Sequence, residues 1–414
     1  MSSRPRSASR ASRAPSRQAR ERELVAQARA VSLPSQVDVA VVGGGAAGLA
    51  AAITAAEVGA HVVVVERSLE CGRSILATGG GRCNLANTRL SAERYRHPGF
   101  VSAVCGERFL ADVLGFFSAS GLAVAEEEGG RLYPVTREAS SVREVLVARA
   151  LRAGVTLACG REVTAVTQST RGFALELTPA FGDGGKGHLG ARAIVIATGG
   201  GSGSLAGCLG LPVVPPRPVL CPLACEGLDF PALDGRRTRV SAALVRGGET
   251  IAREAGELLF RPYGISGIVS FDLSRNALPG DRVVLDLLPE VDAHTAQELA
   301  MRGGTAGLLD GSVAAQLKRQ GETPEDVVRR AKSVKLRVSG TADEKRAQVM
   351  AGGIDVTALD VSTLECQGAP GTFASGEAVD VDGACGGYNL AWAWKSGMVA
   401  GLSAARHAGG KRRD

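Results

Sequence analysis

The sequence predicts an α/β protein in which a β-rich and partly helical second domain is inserted into a Rossmann-like domain. Three features lead to this prediction. A β-branched run, a glycine-rich turn and an alanine-rich helix follow one another from residue 37. A second buried run ends in glycines near residue 200, and five prolines between 212 and 222 then mark a change of domain. We therefore expect the first domain over 36–215 and 341–408, and the inserted domain over 216–340.

The first predicted elements form one βαβ unit. Residues 38–42 are a short buried strand, and residues 46–58 are an alanine-rich helix without proline that ends before Gly59. Residues 61–66, with the sequence HVVVVE, are the second strand. The later elements follow from the same patterns: helices over 102–119 and 139–153, strands over 155–157, 162–167, 173–177 and 194–197, a polar turn over 181–190, a helical region over 293–332 and a long apolar helix over 388–407.

The positive charge is concentrated at the start of the chain. Residues 1–23 hold seven Arg and two Glu, which is most of the formal net charge of +6. Because this segment has few apolar residues, we expect residues 1–33 to be a disordered basic tail. A nucleic-acid or acidic-membrane tether is one interpretation. The interpretation that we favour is a solvated extension without a binding role. We therefore do not expect nucleic acid as the main partner.

The cysteines and apolar residues limit the class of protein. Nine Cys occur at irregular spacing without a CxxC pair, and five His are scattered, so we expect neither a disulfide framework nor a metal site. Reduced thiols fit a cytoplasmic protein. A run of about 18 apolar residues is absent, so we expect no membrane span.

A dinucleotide fingerprint lies between the first strand and the first helix. Gly43, Gly45 and Gly48 match G-x-G-x-x-G, and Glu66 ends the next strand. The first glycine permits the tight turn, the second lets the backbone approach a pyrophosphate, and the third lets the helix pack on the strand. A carboxylate at position 66 suits ribose hydroxyls and disfavours a 2′-phosphate, so the nucleotide is FAD-like or NAD-like.

Two glycine-rich segments favour FAD, because a flavin needs a second anchoring region. The glycines of the loop at 79–87 allow its backbone N–H groups to face a cofactor. The side chains of Arg82, Asn84 and Asn87 can form hydrogen bonds with the polar edges of that cofactor. Before residue 388, Gly386 and Gly387 open a helix whose N-terminal dipole would stabilise an anionic reduced flavin.

With these motifs the chain resembles the BaiN/YhiN-like FAD-dependent flavoproteins, which include aminoacetone oxidases and dehydro-bile-acid reductases. The segments that carry the resemblance are the fingerprint, GGGRCN at 79–84, IVIATGG at 194–200 and FASGEAVDVDGACGGYNLAWAWKSG at 373–397. The resemblance implies an FAD-binding domain of the glutathione-reductase type. It also implies that Gly376, Glu377 and Asp382 lie along the ribityl chain and pyrophosphate, and that Val163 frames the adenine through its backbone.

The remaining candidate cofactor-binding residues come from the fingerprint, the strand ends and the two glycine-rich segments. They are Gly43, Gly45, Ala46, Ala47, Gly48, Glu66, Arg67, Arg73, Gly81, Arg82, Cys83, Asn84, Ala197, Thr198, Gly199, Gly387, Tyr388, Asn389 and Leu390. Cys83 has no CxxxxC partner, so we expect a packing or cofactor contact for it rather than a redox role.

The sequence departs from the family where substrate would be chosen. The stretch after IVIATGG is short, Arg261-Pro262 replaces a common Thr-His, and Ile268 replaces a proline. No catalytic acid or base can therefore be carried over.

The leading hypothesis is an FAD-dependent oxidoreductase acting on a small or hydrophobic carbonyl, enone or amine. A second G-x-G-x-x-G unit is lacking, so NADH or NADPH would bind only transiently as electron donor. An FAD-binding sensor or interaction protein without turnover and an RNA-directed flavoprotein remain alternatives.

Overall fold

The computed structural model describes residues 16–182, 185–343 and 347–409. Its helices are α1 (Arg17–Ala30), α2 (Ala46–Glu57), α3 (Arg73–Leu76), α4 (Pro98–Cys105), α5 (Phe109–Ala119), α6 (Ala139–Arg152), α7 (Gly203–Cys208), α8 (Ile268–Ser274), α9 (Ala293–Gly303), α10 (Gly311–Leu317), α11 (Pro324–Ala331) and α12 (Tyr388–His407). Its strands are β1 (Gln36–Val42), β2 (Val62–Glu66), β3 (Ala86–Asn87), β4 (Val124–Glu127), β5 (Arg131–Pro134), β6 (Thr156–Cys159), β7 (Arg161–Ser169), β8 (Gly172–Pro179), β9 (Gly187–Ile196), β10 (Val213–Val219), β11 (Leu223–Glu226), β12 (Arg237–Arg246), β13 (Glu249–Arg261), β14 (Gly264–Ser266), β15 (Arg282–Asp286), β16 (Val334–Thr341), β17 (Val349–Ile354) and β18 (Thr372–Ala374).

The first domain is built on a seven-stranded sheet in the order β6-β2-β1-β9-β8-β7, with β18 also beside β9. β1 is parallel to β2 and β9, and β18 is parallel to β9, whereas β8 is antiparallel to both β7 and β9. The β-branched residues of β1 and β2 are buried because helices and neighbouring strands cover both faces. The Rossmann-like α/β fold class is thus confirmed.

Helices α2 and α12 pack closely and in parallel. A Cβ atom on Gly397 would lie 2.4 Å from the Ala47 carbonyl oxygen, and one on Gly401 would lie 2.2 Å from that of Ala51. Two residues four apart on α12 thus contact two residues four apart on α2 in the same order along the chain, so the two helices run in the same direction. Only glycine permits this separation, so these two positions fix how far α12 extends beyond the start of α2.

The second domain is a closed six-stranded barrel with helices beside it. The strand order is β11-β14-β13-β12-β15-β16. Its core includes Leu244, Phe260 and Leu336, all essentially inaccessible to solvent. Strand β10 precedes the barrel strands in sequence and β17 follows them, and the two strands form an antiparallel pair.

A buried ion cluster ties the two domains together. The carboxylate of Asp382, in the first domain, accepts from Arg96 Nε at 2.5 Å and from Arg275 Nε at 2.7 Å. Arg275 directly follows α8 of the barrel domain, and its carbonyl oxygen accepts a further bond from Arg217. Asp382 is fully buried, so loss of either arginine would leave a poorly compensated buried charge.

Three regions differ from the sequence predictions. The polar turn expected over 181–190 ends at Gly187, where β9 begins. The helix expected over 102–119 is broken at Gly106, which has a positive φ of 63°, into α4 and α5. The tail was expected to be disordered through residue 33, but residues 17–30 form α1. Ser16 caps this helix, and Arg161 donates to the Val31 carbonyl just beyond it. Residues 1–15 lie outside the described residues.

None of the helices in the described ranges is long and apolar enough to cross a membrane. The described residues also contain no cluster of His, Cys, Asp and Glu that could hold a metal ion.

Candidate functional site

A cavity of about 950 Å³ opens at the carboxyl ends of β1, β2 and β9. Rossmann-like sheets bind their ligands at this edge. One end of the cavity lies at the fingerprint turn and Glu66, and the other at the start of α12. The predicted cofactor residues that line it are Gly43, Gly45, Ala46, Ala47, Glu66, Arg67, Arg73, Asn84, Ala197, Thr198, Gly199, Gly376, Glu377, Gly387, Asn389 and Leu390.

The N-terminus of α2 forms the anion-binding end. Gly45 is its N-cap residue and offers no side-chain cap, so the backbone N–H groups of the first turn are available to a ligand. Gly43 is held against the neighbouring strand, since a Cβ there would lie 2.4 Å from the Ala197 carbonyl oxygen. This close approach leaves the turn open to a pyrophosphate group.

Glu66 is fixed by two backbone donors. Its Oε2 accepts from Gly44 N at 2.6 Å, and its Oε1 accepts from Ser68 N at 2.6 Å. A carboxylate has about four acceptor sites, so two remain for hydroxyl donors in the cavity. Glu66 therefore presents its remaining acceptor positions at the fingerprint end of the cavity.

The opposite end is formed by the start of α12. A Cβ on Gly387 would lie 2.3 Å from the Ala86 carbonyl oxygen, and the residue has a positive φ of 101°. Asn389 holds the preceding loop, because its Oδ1 accepts from Gly383 N at 2.7 Å. This helix start has no side-chain cap either, so a second set of N–H groups faces the cavity.

Unpaired polar atoms show that the cavity suits a polar ligand. Asn84 Oδ1, Thr198 Oγ1 and Ser375 Oγ are buried, and none has a hydrogen-bond partner among the described residues. All three residues line the cavity. Buried polar groups are normally paired, so a ligand with several donors and acceptors is expected there. An elongated dinucleotide with an anionic centre fits this arrangement.

Glu377 is a half-buried acid on the wall of this cavity. Burial raises its pKa to about 7, and the charge of Asp382 acts in the same direction. A 3.4 Å hydrogen bond from Met350 N partly opposes the effect. Glu377 therefore changes charge near neutral pH beside the cofactor cavity.

Several predicted cofactor residues do not line the cavity: Gly48, Gly81, Arg82, Cys83, Val163, Asp382 and Tyr388. Each is engaged elsewhere or faces away. Gly48 packs on Gly43, where a Cβ would lie 1.9 Å from the carbonyl oxygen, as its packing role requires. Asp382 is enclosed by the interdomain arginines instead of facing a ribityl chain.

The others are held by local contacts. The Arg82 guanidinium pairs with Glu127 and lies 4.3 Å from the centre of the Tyr133 ring. Cys83 is buried, and burial raises its pKa to about 11, which agrees with a packing role. Val163 is buried in the β7–β8 pair, and the Tyr388 hydroxyl donates to the Arg89 carbonyl at 3.0 Å. Gly81 is exposed on its loop.

The structure adds cavity residues that the sequence did not identify. From the first domain these are Arg131, Tyr133 and Cys385, and from the barrel domain and its link they are Leu220, Ile268, Phe271 and Val349. Position 268 was noted only as a departure from the family motif. The others become neighbours of the cavity only when distant segments fold together.

The fold and this site define an FAD-binding oxidoreductase with an inserted barrel domain. Over residues 37–403 the chain matches the family model described as HI0933-like protein Rossmann domain, and it belongs to that family. The expected resemblance is confirmed, and FAD is the cofactor that the cavity accommodates.

Similar proteins agree with this assignment. The 3-dehydro-bile acid delta(4,6)-reductase of Clostridium scindens is 33% identical, with 89% of this chain and 98% of that protein covered. The ribosomal RNA dihydrouridine synthase of Escherichia coli is 29% identical, with 87% and 96% covered. The open conformation of a flavocytochrome c3 fumarate reductase shares the fold at 17% identity, with a TM-score of 0.50 and 94% of this chain and 81% of that chain covered.

Replacing Glu66 with Ala should weaken FAD binding by at least tenfold, because it removes the acceptor for ribose hydroxyls and frees the Gly44 and Ser68 amides. Fluorescence titration of the FAD-free protein measures the Kd. Glu257→Ala, at an exposed acid of the barrel paired with Arg237, is the matched control. Equal FAD affinity in both variants would remove Glu66 from the ribose site.

Glu377 should make the stability of the FAD-free protein depend on pH. Its folded pKa of about 7 exceeds the ordinary 4.5, so the unfolded state loses its proton first. The free energy of unfolding should therefore fall as pH rises from 4.5 towards 7, by up to about 3 kcal/mol, and then level off.

Urea unfolding of wild type and Glu377→Gln between pH 4.5 and 8 isolates this contribution. The difference between the two proteins should follow the predicted curve, whereas Glu257→Gln should reproduce the wild-type profile. A flat difference would mean that Glu377 titrates normally.

Proposed function

We propose that this protein reduces a carbon–carbon double bond conjugated to a carbonyl in a hydrophobic small molecule, with NADH or NADPH as electron donor. The observation that carries the proposal is the apolar wall of the cavity. Leu220, Ile268, Phe271 and Val349 line it, and none belongs to the fingerprint region. An apolar surface with a few polar groups opposite is typical of a site for a mainly hydrophobic ligand.

The names of two relatives support a conjugated carbon–carbon double bond as the bond that is reduced. A 3-dehydro-bile acid with Δ4,6 unsaturation has double bonds conjugated to its 3-carbonyl. Uridine has a ring double bond conjugated to a carbonyl, and its reduction gives dihydrouridine. Both names therefore describe the addition of two electrons and two protons to a carbon–carbon double bond conjugated to a carbonyl. The apolar wall favours the steroid-like member of this pair.

The residues of this chain would bind and orient the reactants. Bound FAD supplies hydride transfer. Ile268 and Phe271 cover the substrate side and exclude water, while the N–H groups at the start of α12 favour negative charge at that end of the cavity. Asn389 keeps the 383–384 loop in place through its bonds to the backbone.

Reduction of a uridine in RNA is the second candidate. Two rRNA dihydrouridine synthases, from Escherichia coli and Haemophilus influenzae, match 87% and 88% of this chain at 29% and 27% identity. Arg67, Arg73 and Arg131 line the cavity, and the first two are exposed, so phosphate groups could be contacted at its mouth. The apolar wall argues for the small molecule as the first choice.

An anaerobic absorbance spectrum tests the proposal. The FAD-loaded protein is mixed with NADH and then NADPH, and the reduced protein is mixed with a steroid 4,6-dien-3-one or with uridine-containing rRNA. Bleaching near about 450 nm by a nucleotide, followed by reoxidation by the dienone, is the expected result.

Other results reassign the function. Reoxidation by rRNA alone selects the second candidate. Failure of both nucleotides and both acceptors contradicts the reductase proposal and favours a sensor without turnover. An amine that bleaches the flavin would instead make the protein an oxidase.

Replacing Ile268 with Ser should raise the KM for the dienone about fivefold or more, because it removes apolar area from the cavity wall. The rate of flavin reduction by the nicotinamide donor should stay near wild type. Ile251→Ser is the matched control, since Ile251 is also an exposed barrel isoleucine but does not line the cavity. Equal KM values for the two variants would show that the barrel wall does not contact substrate.

A further inference from the structure

Two cysteines meet beneath the nucleotide end of the cavity. Cys71 Sγ and Cys159 Sγ are 3.6 Å apart, although 88 residues separate them in sequence. Cys159 ends β6 and pairs in register with Glu66 at the end of β2. The sequence suggested no pairing for either cysteine, since no motif links positions 71 and 159.

One of the two thiols is accessible and the other is buried. Cys159 is half-buried and lines a separate cavity of about 360 Å³ between α1 and the edge of the sheet. Cys71 is only 2% exposed. Cys159 is therefore the more exposed of the two residues, and Cys71 lies behind it, where it could act as the resolving thiol.

The hydrogen bond between the thiols supports the same division of roles. The contact with the Cys71 thiol lowers the pKa of Cys159, although burial opposes the effect. The pKa of Cys71 is raised by the same contact and by burial. The thiolate is the nucleophile in thiol oxidation, so Cys159 reacts first.

Cys71 also contacts the loop that binds the nucleotide. A Cβ on Gly44 would lie 2.5 Å from Cys71 Sγ, and Gly72 N donates to the Gly44 carbonyl at 2.7 Å. The neighbouring Gly44 N donates to Glu66. A movement of the Cys71 sulfur would therefore shift Gly44 and, through it, Glu66, the residue that would hold the ribose.

We propose that Cys71 and Cys159 are an oxidative modification site, which a hydroperoxide closes to an intramolecular disulfide and which thereby weakens FAD binding. Cys159 loses its proton, and the thiolate attacks one oxygen of hydrogen peroxide. The O–O bond breaks, a sulfenic acid forms, and the leaving hydroxide takes up that proton and departs as one water. The Cys71 sulfur then attacks the Cys159 sulfur, the S–O bond breaks, and the Cys71 proton leaves with the hydroxide as a second water. Two thiols lose two electrons in total, and one peroxide becomes two waters.

The geometry requires only a small movement. The sulfur atoms must approach from 3.6 Å to a bonded distance of about 2.05 Å. This draws the Cys71 sulfur away from Gly44 towards β6. The 71–72 segment, which Arg143 holds through the Cys71 carbonyl at 2.7 Å, then no longer supports the nucleotide loop in the same position.

The test is peroxide titration of the FAD-loaded protein, followed by thiol counting and mass spectrometry of a non-reducing digest. We expect two of the nine thiols to be lost and a peptide crosslinked through Cys71 and Cys159 to appear. The Kd for FAD should rise at least fivefold and return to its starting value with dithiothreitol.

Two single variants complete the experiment. Cys159→Ser should form no crosslink and keep its FAD affinity under peroxide, whereas Cys208→Ser, which removes an exposed cysteine, should behave as wild type. Absence of the 71–159 crosslink, or sulfinic acid at Cys159 without it, overturns the modification site. A crosslink with unchanged FAD affinity overturns the coupling to the cofactor.

Discussion

The parallel contact between α2 and α12 is the constraint on which the rest of the site depends. Gly397 meets Ala47, the second residue of α2, nine residues after the start of α12. At 1.5 Å per residue, the remaining offset of eight residues places the start of α12 about 12 Å beyond the N-terminal end of α2, on a helix that runs in the same direction. Two positive helix ends thus face one cavity at a spacing that suits an elongated dinucleotide. A side chain larger than hydrogen at 397 or 401 would change that spacing.

Local features were predictable from the sequence because they depend on neighbouring residues. The βαβ unit follows from β-branched runs and a glycine turn, and the helix expected over 388–407 has those bounds in the structure. Four of the five fingerprint residues predicted to bind cofactor, all except Gly48, line the cavity for the same reason. FAD was inferred from glycine-rich segments that each supply backbone N–H groups, and the family match agrees.

The remaining features depend on residues that are far apart in the chain. Asp382 was expected along the cofactor, but Arg96 and Arg275 enclose it, and neither arginine lies in a motif. The apolar wall formed by Ile268 and Phe271 requires the barrel to dock on the first domain. Residues 17–30 read as a polar tail, yet form a helix because Ser16 supplies an N-cap and Arg161 holds the chain beyond it.

The barrel domain reaches the cavity mainly through α8, a helix of seven residues. Under the proposed function, substrate choice depends on α8, whereas the nucleotide-binding end of the cavity is built from other segments of the chain. A change in α8 would then alter which molecules are accepted while the nucleotide-binding segments keep their sequence. Such a division would permit similar chains to diverge in substrate with few substitutions, and two relatives of this chain are named for a bile acid and for ribosomal RNA.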